Sequence, residues 1–169
     1  MKWHNFNIKS LRHILSSIWR LWFLMAFILV FFSFIPALFF FTRINRRPLI
    51  VAKLTRYWSL LTLWLSGVFL KIVIEEPLNS NEAYIICPNH VSSLDIPIVL
   101  AAFKIPVIFM AKKEYSNIPI FGYFYKNNTV IVNRDNLRDA YSAFTNSIEK
   151  LKEGLNVCIF PEGGIPKPE

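Results

Sequence analysis

The chain divides near residue 70 into two segments with different patterns of hydrophobic and polar positions. Residues 21–42 form an uncharged run of 22 residues, and residues 57–70 form a second uncharged run of 14. About 20 apolar residues are enough to cross a bilayer as a helix, so the first run is long enough to span. The second, shorter run is typical of an interfacial or re-entrant helix. We therefore predict a membrane-associated helical pair in residues 1–70.

Residues 71–169 have the alternating pattern of an α/β domain. Short apolar runs typical of buried strands lie at residues 71–74, 84–87, 107–110, 129–132 and 157–160. Helical patterns cover residues 94–103 and 136–153, whereas residues 112–125 are predicted to be irregular. Strands that are apolar on both faces and separated by helices predict a mostly parallel central sheet flanked by helices.

The ends of the last predicted helix carry their own signals. Asp135 or Asn136 can cap its start, and Gly154 is placed to terminate it. The chain stops soon after the strand pattern at residues 157–160, where an α/β domain normally continues. We therefore expect residues 71–169 to form a domain that is C-terminally incomplete here.

The positive charge is concentrated beside the apolar runs. The whole net charge of +8 lies in residues 1–76, and residues 77–169 are neutral overall. Basic side chains next to long apolar segments favour anionic lipid headgroups, and no nucleic-acid-binding motif accompanies them. Membrane lipids are therefore the predicted partners, and nucleic acid is not. Both flanks of residues 21–42 are basic, so a transmembrane span and a hairpin in one leaflet both stay open.

His90 and Asp95 are the candidate chemical pair. Positions five apart on one uninterrupted helix point away from each other, so the chain must bend between them for the side chains to meet. We expect His90 in a strand-to-helix turn and Asp95 in the first helical turn. There the carboxylate accepts one imidazole N–H and leaves the other ring nitrogen as a base. A turn histidine beside a helix-stabilising aspartate is the structural alternative.

No protein nucleophile accompanies this pair in the sequence. A Gly-x-Ser-x-Gly elbow is absent from the chain, so the attacking group would be a hydroxyl of the substrate. No cluster of residues has metal-ligand spacing, and we predict no metal site.

Three blocks of residues occur in a fixed order along the chain. They are Asn89-His90-x4-Asp95; then Lys112-Lys113, Ile118-Pro119-Ile120-Phe121-Gly122 and Arg134; then Phe160-Pro161-Glu162-Gly163-Gly164. Together they resemble the membrane-bound glycerolipid acyltransferases, most closely the 1-acylglycerol-3-phosphate acyltransferases. The resemblance covers residues 71–164, and the apolar N-terminal segment also fits this family.

The resemblance implies a role for the residues of the first two blocks. His90 would be the general base that deprotonates a glycerol hydroxyl, and Asp95 would orient its ring. Arg134 matches an arginine that holds the acceptor's phosphate, a role suited to a guanidinium fork. Outside this motif context, Arg134 would be interpreted as a surface arginine at a strand end.

The remaining site residues are implied to bind substrate. Glu162 and Gly163 would shape the acceptor site, and backbone N–H groups near Gly163 and Gly164 would contact phosphate or the developing oxyanion. Lys112 and Lys113 would add positive potential for the phosphate or the thioester carrier. A glycine turn leaving a strand and a solvated basic pair are the structural alternatives.

The implied reaction moves a fatty acyl group from acyl-CoA or acyl-carrier protein to lysophosphatidic acid, forming phosphatidic acid in phospholipid biosynthesis. It implies no cofactor beyond the acyl donor, and a catalytic domain on the cytoplasmic side of the membrane. Gly164 and Ile165 stand where the family often carries Thr-Arg. This departure leaves open a different lysolipid or an amine as the acceptor. An inactive membrane-binding module is a further alternative.

Overall fold

The computed structural model of the chain describes residues 3–133 and 136–165. In chain order its elements are α1 (Trp3–Phe39), a π-helical turn (Phe40–Ile44), α2 (Pro48–Leu65), β1 (Ile85–Ile86), α3 (Asp95–Ala102), β2 (Val107–Lys112), a 3₁₀ turn (Lys113–Asn117), α4 (Phe121–Asn128), β3 (Val130–Val132), α5 (Leu137–Lys152) and β4 (Asn156–Cys158).

Within the described residues, a four-stranded parallel sheet is the centre of the fold. Its strand order is β1-β4-β2-β3, and each neighbouring pair is parallel. Val157 of β4 lies opposite Ile85 on one side and Ile108 on the other. The predicted parallel α/β architecture is therefore confirmed. Because parallel strands end at the same edge of a sheet, the segments that follow all four strands meet there.

Asn156 ties the starts of three strands together. Its side chain is buried, with 1% of its surface exposed. Its Oδ1 accepts the Tyr84 N–H at 2.8 Å, and its Nδ2 donates to the Pro106 carbonyl at 2.8 Å. One amide thus aligns β1 and β2 on either side of β4, which fixes how their carboxyl ends lie beside each other.

The predicted helix at residues 136–153 is confirmed as α5, with both of its end signals. The Asn136 Oδ1 accepts the Arg138 N–H at 2.9 Å, so Asn136 is the N-cap. Asp135, the other candidate cap, lies outside the described residues. Gly154 has φ +79° and follows the helix, a conformation that glycine adopts at little cost.

The strand predicted at residues 71–74 was wrong. No strand is assigned there, and the side chains of Ile72, Val73 and Ile74 are 48%, 76% and 61% exposed. A short apolar run becomes a strand only when a neighbour supplies hydrogen bonds, and none of the described strands pairs with this segment. The segment instead connects α2 to β1 along the surface.

The region predicted to be irregular, residues 112–125, contains regular structure. β2 continues to Lys112, a 3₁₀ turn follows, and α4 begins at Phe121. Gly122, in the first turn of α4, is needed for close packing. A Cβ at Gly122 would lie 2.3 Å from the Ser116 carbonyl oxygen, so only glycine fits at this point.

Both N-terminal helices pack against the α/β domain. Val30 of α1 and Trp58 of α2 share one apolar cluster with Val99 and Val107. The indole N–H groups of Trp19 and Trp22 donate to the carbonyls of Ser66 and Leu65, at 3.0 and 2.9 Å, which joins α1 to the end of α2. Within the described residues, one helical stretch, residues 10–44, is long and apolar enough to cross a membrane, with a mean hydropathy of 2.6. The division at residue 70 stays a prediction.

Candidate active site

His90 and Asp95 meet at the carboxyl edge of the sheet. β1 ends at Ile86, and the chain turns through His90 before α3 begins at Asp95. The His90 Nδ1 lies 3.0 Å from the Asp95 Oδ2. The contact that the spacing predicted is therefore present, and the bend between strand and helix produces it. The catalytic roles of both residues stay predictions.

The Asp95 carboxylate also holds the turn itself. Its Oδ2 accepts the N–H groups of Val91 and Ser92 at 2.7 and 2.8 Å. Ser92 contributes a second bond, since its Oγ accepts the Leu94 N–H at 3.2 Å. No described side chain caps α3 itself, whose N-cap residue is Leu94. Asp95 therefore fixes the backbone of the turn together with the imidazole.

The environment keeps Asp95 ionised. Burial raises the pKa of Asp95, but the hydrogen bonds from the His90 ring and from the Ser92 and Val91 N–H groups outweigh it. The pKa of the carboxyl therefore lies below its usual value. An ionised Asp95 favours a proton on His90 Nδ1 and leaves the other ring nitrogen as an acceptor. The two side chains are 12% and 15% exposed, so the pair is sheltered yet reachable from solvent.

The third block packs directly onto His90. The rings of Phe160 and His90 are stacked, with centroids 4.0 Å apart and planes at 19°. The backbone N–H of His90 donates to the Glu162 Oε1 at 3.4 Å. β1 and β4 are neighbours, and the Ile159 N–H donates to the Ile86 carbonyl at 2.9 Å. The two blocks therefore leave the sheet side by side, and Glu162 contacts the turn that carries the candidate base.

A glycine turn completes this side of the site. Gly163 has φ +75°, and its N–H donates to the Phe160 carbonyl at 3.1 Å. The Gly163 amide is thus used inside its own turn, and the predicted anion contact near Gly163 and Gly164 stays a prediction. The Lys112 Nζ lies 3.7 Å from the position that a Cβ on Gly164 would occupy. The carboxyl end of β2 therefore brings an ammonium group to this turn.

The two neighbouring lysines face different surroundings. Whereas Lys112 reaches the glycine turn, Lys113 lines a cleft of about 210 Å³ with Asn133, Asp139, Ser142 and Ile131. The two side chains thus lie in different surroundings, and their predicted contributions to binding the phosphate or the thioester carrier stay predictions. Arg134 lies outside the described residues, so its predicted phosphate contact stays a prediction.

One residue of the site carried no role in the sequence interpretation. Phe160 marked the third block, but its ring contact with His90 had no local signal, because 70 residues separate the two. Within residues 3–133 and 136–165, no group of three or more His, Cys, Asp or Glu side chains is placed to hold a metal ion. Independence from metal stays a prediction.

At the carboxyl edge of the parallel sheet, the paired imidazole and carboxylate thus lie beside a lysine and a glycine turn. The family model described as Acyltransferase matches residues 69–168, more than half of the chain, and the chain belongs to this family.

Curated relatives carry more specific names. A 1-acyl-sn-glycerol-3-phosphate acyltransferase of Borreliella burgdorferi is 30% identical over 104 residues, covering 61% of this chain and 42% of the relative. A probable enzyme of the same name in Mycoplasma pneumoniae is 32% identical over 109 residues, covering 61% and 40%. The Neisseria gonorrhoeae enzyme of that name is 38% identical over 79 residues, covering 46% and 30%. The chain thus spans less than half the length of these relatives. No solved structure gives a significant match.

Proposed function

We propose that the protein transfers a fatty acyl group from a thioester to the free hydroxyl of lysophosphatidic acid, giving phosphatidic acid. The observation that carries this proposal is the 3.0 Å contact between His90 Nδ1 and Asp95 Oδ2 at the carboxyl edge of the sheet. Membership of the Acyltransferase family supports acyl transfer, and the names of the relatives support this acceptor. The donor is acyl-CoA or acyl-carrier protein, with no further cofactor.

The proposed mechanism is a direct transfer. The His90 Nε2, the ring nitrogen that does not contact Asp95, takes the proton of the acceptor hydroxyl. At the same time the hydroxyl oxygen attacks the carbonyl carbon of the thioester. The tetrahedral intermediate collapses, the carbon–sulfur bond breaks, and the leaving thiolate takes the proton from the imidazolium. Asp95 stabilises the imidazolium between these two steps. Among the described residues, the ring's one hydrogen-bond partner is Asp95 rather than a protein hydroxyl or thiol, which supports transfer without an acyl-enzyme.

The acceptor's phosphate is proposed to lie near the glycine turn. The Lys112 ammonium stands beside Gly164, where it provides a positive charge at the same edge as His90. The Glu162 carboxylate accepts the backbone N–H of His90 and so holds the turn that carries this residue. The contribution of Glu162 to the acceptor site is therefore indirect. Arg134 and Lys113 keep their proposed phosphate and carrier roles from the family resemblance.

An acceptor panel tests the proposed reaction. Full-length protein, reconstituted in phosphatidylglycerol-containing vesicles, is supplied with acyl-CoA or acyl-carrier protein and with one of three acceptors. These are lysophosphatidic acid, lysophosphatidylcholine and a long-chain amine. We expect lysophosphatidic acid to react at least about tenfold faster, because a phosphate monoester meets the Lys112 charge without a competing cation. Equal rates, or transfer to the amine alone, would contradict the proposal. Ile165, 44% exposed, is the departure that motivates the comparison.

We propose that α1 lies in one leaflet instead of crossing the membrane. The middle of α1 is covered on one side by the α/β domain, since Val30 and Phe34 pack in the cluster that includes Val99. On the opposite side Leu29 and Phe32 are 64% and 53% exposed. If α1 crossed the membrane, the domain packed against its middle would lie partly in the hydrocarbon. Placing the charged side chains of that domain there would cost a large free energy. An in-plane helix buries only the exposed apolar side.

The same placement fits the remaining apolar and basic surface. Trp64 and Phe69, near the end of α2, are 63% and 78% exposed, and aromatic rings favour the bilayer interface. Arg43, Arg46 and Arg47 are exposed in the connection between α1 and α2, where anionic headgroups would meet them. The catalytic edge is proposed to face the cytoplasm, where the thioester donors are made.

A charge on the exposed side of α1 tests whether this side lies in the bilayer. We expect Leu29→Glu to weaken binding to phosphatidylcholine/phosphatidylglycerol vesicles about tenfold or more, because a leucine side chain that contacts the hydrocarbon in the proposed placement is replaced by a carboxylate. Co-flotation with the vesicles measures the bound fraction. Leu137→Glu is the matched control, since Leu137 is an exposed leucine of α5, 89% accessible. The same bound fraction for the two variants would contradict the placement.

A further inference from the structure

We propose that Phe160 is a positioning residue for the base: its ring fixes the plane of the His90 imidazole and stabilises the positive charge that His90 acquires. This inference rests on the proposed function. The stacked rings, with centroids 4.0 Å apart and planes at 19°, are the observation that carries it. Aromatic pairs usually have centroids about 4.5–7 Å apart, so this is a close contact.

The stacking supplies a restraint that the hydrogen bonds do not. The bond between Nδ1 and Asp95 Oδ2 fixes one edge of the imidazole but permits rotation of the ring about the line joining these atoms. The bond from the His90 N–H to Glu162 fixes the backbone alone. A flat ring against the face of the imidazole removes the remaining rotation. The opposite nitrogen is thereby held in one direction, as general-base catalysis requires.

Phe160 is itself held firmly. It is 9% exposed and packs in the cluster that contains Val99, Leu100 and Cys158. Phe109 of β2 is stacked on Phe160, with centroids 5.9 Å apart and planes at 13°. Buried side chains in such clusters have little rotational freedom, so the face that Phe160 offers to His90 is fixed by the core.

The same contact favours the charged form of the base. The face of an aromatic ring is electronegative and attracts cations that lie over it. His90 becomes an imidazolium when it takes the proton of the acceptor hydroxyl, and it does so against the face of Phe160. The attraction is stronger for the imidazolium than for the neutral ring, so it lowers the barrier to proton transfer instead of tightening substrate binding.

The test compares Phe160→Leu with Phe124→Leu in the full-length protein. Both changes replace a buried ring, 9% and 8% exposed, with a smaller apolar side chain, but Phe124 lies in a separate apolar cluster with Leu38 and Val51, and only Phe160 of the two stacks on His90. We expect Phe160→Leu to lower kcat about tenfold with the acceptor KM nearly unchanged, and Phe124→Leu to keep kcat within about twofold. Phe160→Tyr, which retains the aromatic face, should restore kcat.

A second measurement needs no substrate. In a His4→Gln/His13→Gln background, the rate of modification of His90 by diethyl pyrocarbonate reports the freedom of its ring. We expect Phe160→Leu to be modified several-fold faster than Phe124→Leu; if Phe160→Leu does not fold, Phe160→Met replaces it. Equal kcat and equal modification rates for the two leucine variants would overturn the inference. A wild-type protein that does not acylate lysophosphatidic acid would instead overturn the proposed function, and the modification rates would still decide the role of Phe160.

Discussion

Replacing His90 with alanine should lower kcat/KM for acyl transfer to lysophosphatidic acid about 10²–10⁴-fold, the usual contribution of a positioned general base. The acceptor hydroxyl would then lose its proton without a partner, because the ring contacted by Asp95 is the base in the proposed mechanism. Release of the donor thiol, followed with a chromogenic disulfide, measures the rate. The acceptor KM should change little, since the imidazole acts on the reacting hydroxyl and not on the phosphate.

The fold should survive this substitution. Alanine keeps the backbone N–H that donates to Glu162, and Asp95 keeps the Val91 and Ser92 amides as donors. His13→Ala is the matched control, because His13 is exposed on α1 and should be dispensable for transfer. A His90→Ala variant as active as His13→Ala would rule out His90 as the base, whereas loss of activity in both variants would indicate a general defect.

Asp95→Asn should lower kcat by a similar factor, about 10²–10⁴-fold, because it changes which ring nitrogen of His90 carries the proton. An asparagine has an N–H₂ group that can donate to His90 Nδ1, which would put the ring proton on the nitrogen that must act as the base. The substitution also removes the negative charge that stabilises the imidazolium. Steady-state kinetics separate this loss from weaker binding, since the acceptor KM should stay close to that of the wild type.

The stability of Asp95→Asn should depend on pH in one direction. The folded pKa of Asp95 is lowered relative to its ordinary value of 3.8, so the ionised carboxylate stabilises the folded state. This contribution is fully present above the unfolded pKa and is lost as the pH falls through the folded pKa. Denaturant unfolding should therefore show a constant difference in the free energy of unfolding between wild type and variant at neutral pH. This difference should become smaller below about pH 4.

Asp139→Asn is the control that separates the stabilisation by the Asp95 contacts from the general stabilisation by a carboxylate in the first turn of a helix. Asp139 lies in the first turn of α5, as Asp95 lies in the first turn of α3. Both variants lose a carboxylate at the positive end of a helix, but only Asp95 contacts a histidine. If the two variants lose the same free energy of unfolding relative to the wild type, with the same pH dependence, the contacts of Asp95 with the imidazole and the turn add nothing to stability.

Local chemistry was sufficient to predict much of the fold. α5 was predicted from its periodicity, its Asn136 cap and Gly154, because these signals act within a few residues. The parallel sheet followed from apolar strands alternating with helices. Residues 71–74 carried the same apolar signal as the true strands, but a strand also needs a neighbour, which periodicity does not reveal.

By itself, the sequence determined the residue types of the site and the bend that joins His90 to Asp95, because these two are five residues apart and the intervening turn is local. The tertiary structure decided which groups surround them. Placing β4 beside β1 brought Phe160 and Glu162 onto His90, and the side-chain directions after β2 separated Lys112 from Lys113. It also packed the middle of α1 against the domain. These contacts join residues that are far apart in the chain, 70 positions for His90 and Phe160, so they depend on strand order and core packing, which no local pattern encodes.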